Sequence, residues 1–155
     1  MTNIRISLVA LSLVAAVGAS ASVSASTQAA AQAAPAPALS KEVKDLQGTW
    51  DVTLMNDQAT PDGAFALQFD GTKYAVIIQG GIDESGTFKL DASKTPWSFD
   101  LDIKEGSDAG KMQLGILEMK GGAIHGLLGT PGATTRPANF DSADGAIAFV
   151  AVKRK

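Results

Sequence analysis

His125 is the only histidine in the 155-residue chain, and Glu118 lies on the far side of the Gly121-Gly122 pair. Counting outward from a two-residue turn at those glycines sets Lys120 against Ala123, Met119 against Ile124 and Glu118 against His125. A carboxylate beside an imidazole has the makings of an acid–base pair. With no nucleophile attached, it reads more simply as a surface cross-strand pair worth roughly a few tenths of a kcal/mol. Asp100 and Asp102 share one strand face, with Glu105 just beyond. Two carboxylates about 7 Å apart suit calcium binding or glycosidase-type chemistry. Their alternation with Trp97, Phe99, Leu101 and Ile103 instead puts them on the solvent face, where acids are expected. Asp83, Glu84, Asp141 and Asp144 read as loop acids outside any calcium-loop register. One histidine and no cysteine exclude zinc spacing. No nucleophile elbow, P-loop or dinucleotide fingerprint is present, so the reading assigns no catalytic residue, no metal and no cofactor, and the protein is expected not to be an enzyme.

The elements that would position these residues have period two. Trp50, Val52 and Leu54 alternate with Thr49, Asp51 and Thr53; Phe65, Leu67 and Phe69 alternate with Ala66 and Gln68. Tyr74, Val76 and Ile78 follow, then Phe88 and Leu90, then the run from Trp97 to Ile103. Segments 112–119, 123–128 and 146–153 complete the set. Such alternation marks strands with one buried and one wet face. Asp70-Gly71, residues 83–86, 91–96 and 105–110, and Gly121-Gly122 supply turn chemistry between them. Gly115 and Gly80-Gly81 read as bulge or turn glycines. Residues 41–46 have the composition of a single helical turn. Eight short strands in a meander predict an all-β fold, an eight-stranded antiparallel up-and-down barrel that removes its sheet edges by closing; a two-sheet sandwich is the competing arrangement. The one long connection, 130–145, carries Arg136, Pro137 and Phe140 and is expected to fold back as a plug over one barrel end, with a lid as its functional variant.

Composition bounds the function. Thirteen basic against 16 acidic residues give a net charge of −3, so there is no basic footprint for nucleic acid. Residues 1–25 read as a signal peptide: a start containing Arg5, an apolar run at 6–19, and small residues offering cleavage after Ala21 or Ala25. That run is too short to span a bilayer comfortably, so no membrane span is expected after cleavage, and the protein is expected to be secreted or periplasmic. Residues 26–40, Ala/Gln/Pro-rich and uncharged, read as a flexible linker. The folded domain is then 41–155, large enough for one core and, lacking cysteine, held by packing alone.

Leu46, Gly48 and Trp50 form an L-x-G-x-W opening, and Phe69 and Gly71 a Phe-x-Gly hairpin. Gly86, Phe88, Leu90 and Asp91 follow, then Pro96 with Phe99, Asp100 and Leu101, then Gly115-Ile116, and finally Arg136, Pro137 and Phe140 as R-P-x-x-F. In order and spacing this series resembles a family of small secreted lipocalin-like domains of unassigned activity, abundant in planctomycetes. The chain departs from that pattern with Trp97 after Pro96, where lysine is common, and by lacking a cysteine after Gly122. The resemblance implies a small barrel outside the cytoplasm. It also implies an arginine covering the opening tryptophan, and Arg136 is the natural candidate to stack on Trp50 for about 1 kcal/mol.

Lipocalin-type barrels hold apolar molecules in a calyx. Trp50, Tyr74, Trp97 and Phe99, with Arg136 and Phe140 from the long loop, are the candidate ligand-binding residues. An eight-stranded barrel is only just wide enough to be filled by its own side chains, so a filled interior is expected ahead of a roomy one. Two functions remain open. One is an exported non-enzymatic binding module for a small apolar ligand. The other is a protein-interaction or protease-inhibitor-type barrel that engages an extracytoplasmic protein through its N-terminal segment and the 130–145 loop.

Overall fold

The computed structural model describes residues 38–141 and 145–155. The signal-peptide reading and most of the linker reading fall outside them. Nine strands follow one short helix: α1 (Lys41–Leu46), β1 (Gly48–Met55), β2 (Gln58–Ala59), β3 (Phe65–Asp70), β4 (Lys73–Ile78), β5 (Gly81–Asp91), β6 (Trp97–Glu105), β7 (Met112–Lys120), β8 (Ala123–Leu128) and β9 (Ile147–Lys153). Strands β3 to β9 pair antiparallel in chain order. The first, β1, joins β3 on one side and β9 on the other, which closes eight strands into an up-and-down barrel. The two-residue β2 folds onto the end of β1 through an Asn56-Asp57 turn in which both residues have positive φ.

Turn chemistry sets the registers. Gly121 (φ 61°) and Gly122 (φ 81°) form the expected two-residue turn, and Glu118 faces His125 as counted. Such left-handed pairs match the twist of the flanking strands. The sequence reading of 83–86 as a turn is corrected. The reversal lies earlier, at Gln79 (φ 50°) and Gly80 (φ 84°), and β5 runs eleven residues from Gly81. Two register irregularities, one against β4 and one against β6, break the alternation there and disguise the strand. Gly115 is likewise neither bulge nor turn. It sits inside β7 opposite Phe99, and a Cβ there would stand 2.6 Å from Leu128 Cδ2.

The core is unevenly distributed along the barrel. At the end where β1 begins, α1 caps the interior. Ser40 accepts from the Val43 amide as N-cap, and Val43 and Leu46 are buried. Trp50 Nε1 donates to the Leu46 carbonyl at 2.7 Å, and the Gln47 side chain bonds both ways with the Gly71 backbone in the β3–β4 hairpin. Beneath them Phe69, Phe88 and Phe99 pack with centroids 5.2–6.1 Å apart, two of the three pairs edge-to-face. The opposite end is not filled in this way.

Candidate functional site

An interior cavity of about 370 Å³ opens at the end away from α1. Its apolar wall comes from Val52 and Met55 on β1, Phe65 and Leu67 on β3, Val76 and Ile78 on β4, and Leu128 and Ile147 where β8 ends and β9 begins. Phe69, Phe99 and Leu101 reach it from the packed half, and Phe149, paired with Met55, adds a ring at the open half. The expectation of an interior filled throughout is therefore corrected. Large side chains crowd the α1 half, while the mixed aliphatic and aromatic wall of the open half leaves space inside it. The volume lies at the small end of the ~300–1,000 Å³ range of ligand sites.

Polar groups enter this wall at few points. Tyr74 is buried and its hydroxyl donates to Glu84 Oε1 at 2.9 Å. Burial, then the bond to Glu84, holds the phenol well above its usual range. Burial also raises Glu84 above the ordinary carboxylate range, with the nearby Asp108 and Asp83 charges adding to it, although the Tyr74 bond pulls the other way. The tyrosine ring fits because Gly86, its partner on β5, has no side chain; a Cβ there would collide with the Asp102 carbonyl and meet Tyr74 Cε1 at 3.0 Å. Gln113 is 4 % exposed and lines the cavity. Its amide nitrogen donates to the Gly129 carbonyl at 2.8 Å. Asp83, Ser107 and Asp108 edge the opening, and Asp108 is engaged by Lys111 Nζ at 2.7 Å.

The candidate residues distribute unequally around this cavity. Tyr74 and Phe99 line it. Trp50 lies in the packed half under α1, and Trp97 is partly buried against the core; neither is in the cavity wall. The stacking of Arg136 on Trp50 is corrected. The cation over that indole is Lys153, whose Nζ is 5.3 Å from the ring centroid. Arg136 forms a two-pronged ion pair with Asp100 and donates to the Gly115 carbonyl at 2.7 Å. Asp100 alternates with the inward Phe99 and Leu101, so Arg136 binds the outer wall of β6 and β7. Phe140 lies outside as well, against His125, Ala148 and Val150 in a surface groove of about 190 Å³.

The long loop is thus a strap rather than a plug. Of its described residues only Pro131, in the stem, reaches the cavity mouth. Beyond it the chain runs down the outside, where Ser98, Ile116 and Leu127 line up across β6, β7 and β8 and are buried although they face away from the core. The acids weighed for chemistry have separate partners: Asp100 with Arg136, Asp102 with Lys104 at 2.7 Å, Glu105 with Ser85 at 2.7 Å.

No protein-family model matches the chain, and no curated protein or solved structure matches it either. The site must be read from its own geometry. Sequence reasoning missed Glu84 and Gln113. The only available signal for Gln113 was a polar residue at an inward register position, two places before Gly115. Glu84 was hidden by the turn-like Asp-Glu-Ser-Gly composition of its strand.

Proposed function

We propose that this barrel is a non-enzymatic binding module that takes a small, largely apolar molecule into its open-ended interior. The observation that carries the reading is the 370 Å³ cavity, closed by α1 and a packed aromatic layer at one end and open at the other. An unfilled apolar interior forfeits dispersion contacts that a well-packed barrel of this size would make. A ligand that restores those contacts is the economical account of the shape.

Native mass spectrometry of the protein purified from its own host tests this. A discrete added mass that leaves on denaturation is the expected result. Displacement of N-phenyl-1-naphthylamine, an apolar fluorophore, should give the same answer for the empty protein. A bare chain mass together with no fluorophore uptake overturns the reading.

A further inference from the structure

The charged groups of the cavity carry one sign. Asp83, Glu84 and Asp108 reach it, whereas none of its lining residues is a lysine, arginine or histidine. Lys111 neutralises Asp108 from outside, but no basic side chain is paired with Glu84 or Asp83 among the described residues. An acidic rim alone is ordinary surface. What distinguishes this one is Gln113, nine-tenths buried and turned inward at a register position opposite Leu101. Because a carbonyl can only accept, its bond to Gly129 fixes the nitrogen on that side and leaves Oε1 as the atom on offer. No donor among the described residues reaches Oε1. Among the described residues no fully enclosed side-chain polar atom lacks a partner, so Oε1, on a cavity-lining side chain, keeps accessible surface there. An acceptor open to the cavity can take a donor from whatever enters it. Tyr74 is no substitute, since its single proton is committed to Glu84.

We infer that the ligand is an amphipathic cation, an apolar body carrying a protonated amine. Its ammonium group would be received by the Glu84 carboxylate near the mouth, with Gln113 Oε1 a further acceptor deeper along the wall, and its tail by the apolar lining. This assignment rests on the calyx reading and narrows it. An ammonium group offers donors only, which is what a cavity with spare acceptors and no cationic side chain can satisfy. A carboxylate or phosphate headgroup would meet negative charge, with no cationic side chain in the lining to hold it.

Three probes with the same tail separate the possibilities: octylamine, octanol and octanoate at neutral pH, each competed against N-phenyl-1-naphthylamine on the full chain. Octylammonium should displace the fluorophore at about tenfold lower concentration than octanoate, a difference of about 1.4 kcal/mol, with octanol between them. Glu84→Gln should bring octylammonium to the level of octanol and leave octanol itself unchanged. Asp83→Asn, at an exposed position that bears little on folding, should shrink the same preference by a smaller factor. Octanoate or octanol binding as well as the amine overturns the cation assignment and leaves the calyx reading standing. If neither the fluorophore nor any of the three binds, the calyx reading falls and this inference falls with it.

Discussion

Trp50 is 2 % exposed, hydrogen-bonded to Leu46 and overlaid by Lys153, so it joins the helical cap to the core. Trp50→Ala should cost about 3–5 kcal/mol by truncation, read as a large fall in Tm; an unchanged Tm would mean that the cap is held by other contacts. Gly126 shows the opposite constraint. A Cβ there would strike the Phe149 ring, which lies directly over the strand. Gly126→Ala should therefore destabilise by about 1–3 kcal/mol through overpacking, measured by urea unfolding. Glu84 gives a pH signature. Its carboxyl, faced by Tyr74, Asp83 and Asp108, titrates above the ordinary range in the folded protein because it is buried. A pKa raised by folding means that the native state holds the proton more tightly. The associated stability is complete at pH below the unfolded value and is lost as pH rises through the folded one. Glu84→Gln escapes that loss and can still accept the Tyr74 bond. Its stability relative to the unsubstituted protein should therefore grow as pH rises above the ordinary carboxylate range; a difference that stays flat with rising pH would place Glu84 in solvent.

Among the elements, the strap and the helical cap do different work. Arg136 and Asp100 side chains are 28 % and 23 % exposed, so their two-pronged bond is shielded enough to hold the loop to the outer wall. Charge-assisted hydrogen bonds of this kind contribute about 1.5–3 kcal/mol. Asp100→Ala should release the strap and make residues 130–141 the first site of limited proteolysis, with the barrel melting only modestly earlier. Resistance equal to that of the unsubstituted protein would show that Ile116 and Leu127 hold the strap without the ion pair. The barrel, its strand order, the Glu118–His125 register and the helical turn at 41–46 were legible because period-two alternation and glycine pairs are local signals. What was not legible depends on distant chain segments. Arg136 chose Asp100 over Trp50 because the loop turns outward after Pro131, and no local pattern encodes that path. The fully polar stretch at 83–86 is strand because its irregularities let β5 bend between two neighbours, a consequence of pairing that composition alone reads as a turn.

The whole molecule divides along the barrel axis into a half that is packed for stability and a half that is left open. Closure of β1 onto β9 removes the sheet edges and fixes the circumference, so the interior volume is decided by the side chains that point into it. Where Phe69, Phe88, Phe99 and Trp50 point inward the barrel is full; where Val52, Leu67, Val76 and Leu128 do, it is hollow. If the hollow exists for a ligand, filling it should raise stability and remove binding together. Val76, partly buried and facing the cavity from β4, tests this, since Val76→Phe adds a ring into existing space and leaves the packed half untouched. Cavity filling of this kind commonly yields about 0.5–2 kcal/mol, so Tm should rise while uptake of N-phenyl-1-naphthylamine is lost. Overpacking in a core without spare room costs about 1–3 kcal/mol instead. A lower Tm would therefore say that the apparent hollow is closed in solution, and a higher Tm with binding intact would place the fluorophore elsewhere, in the surface groove beside Phe140.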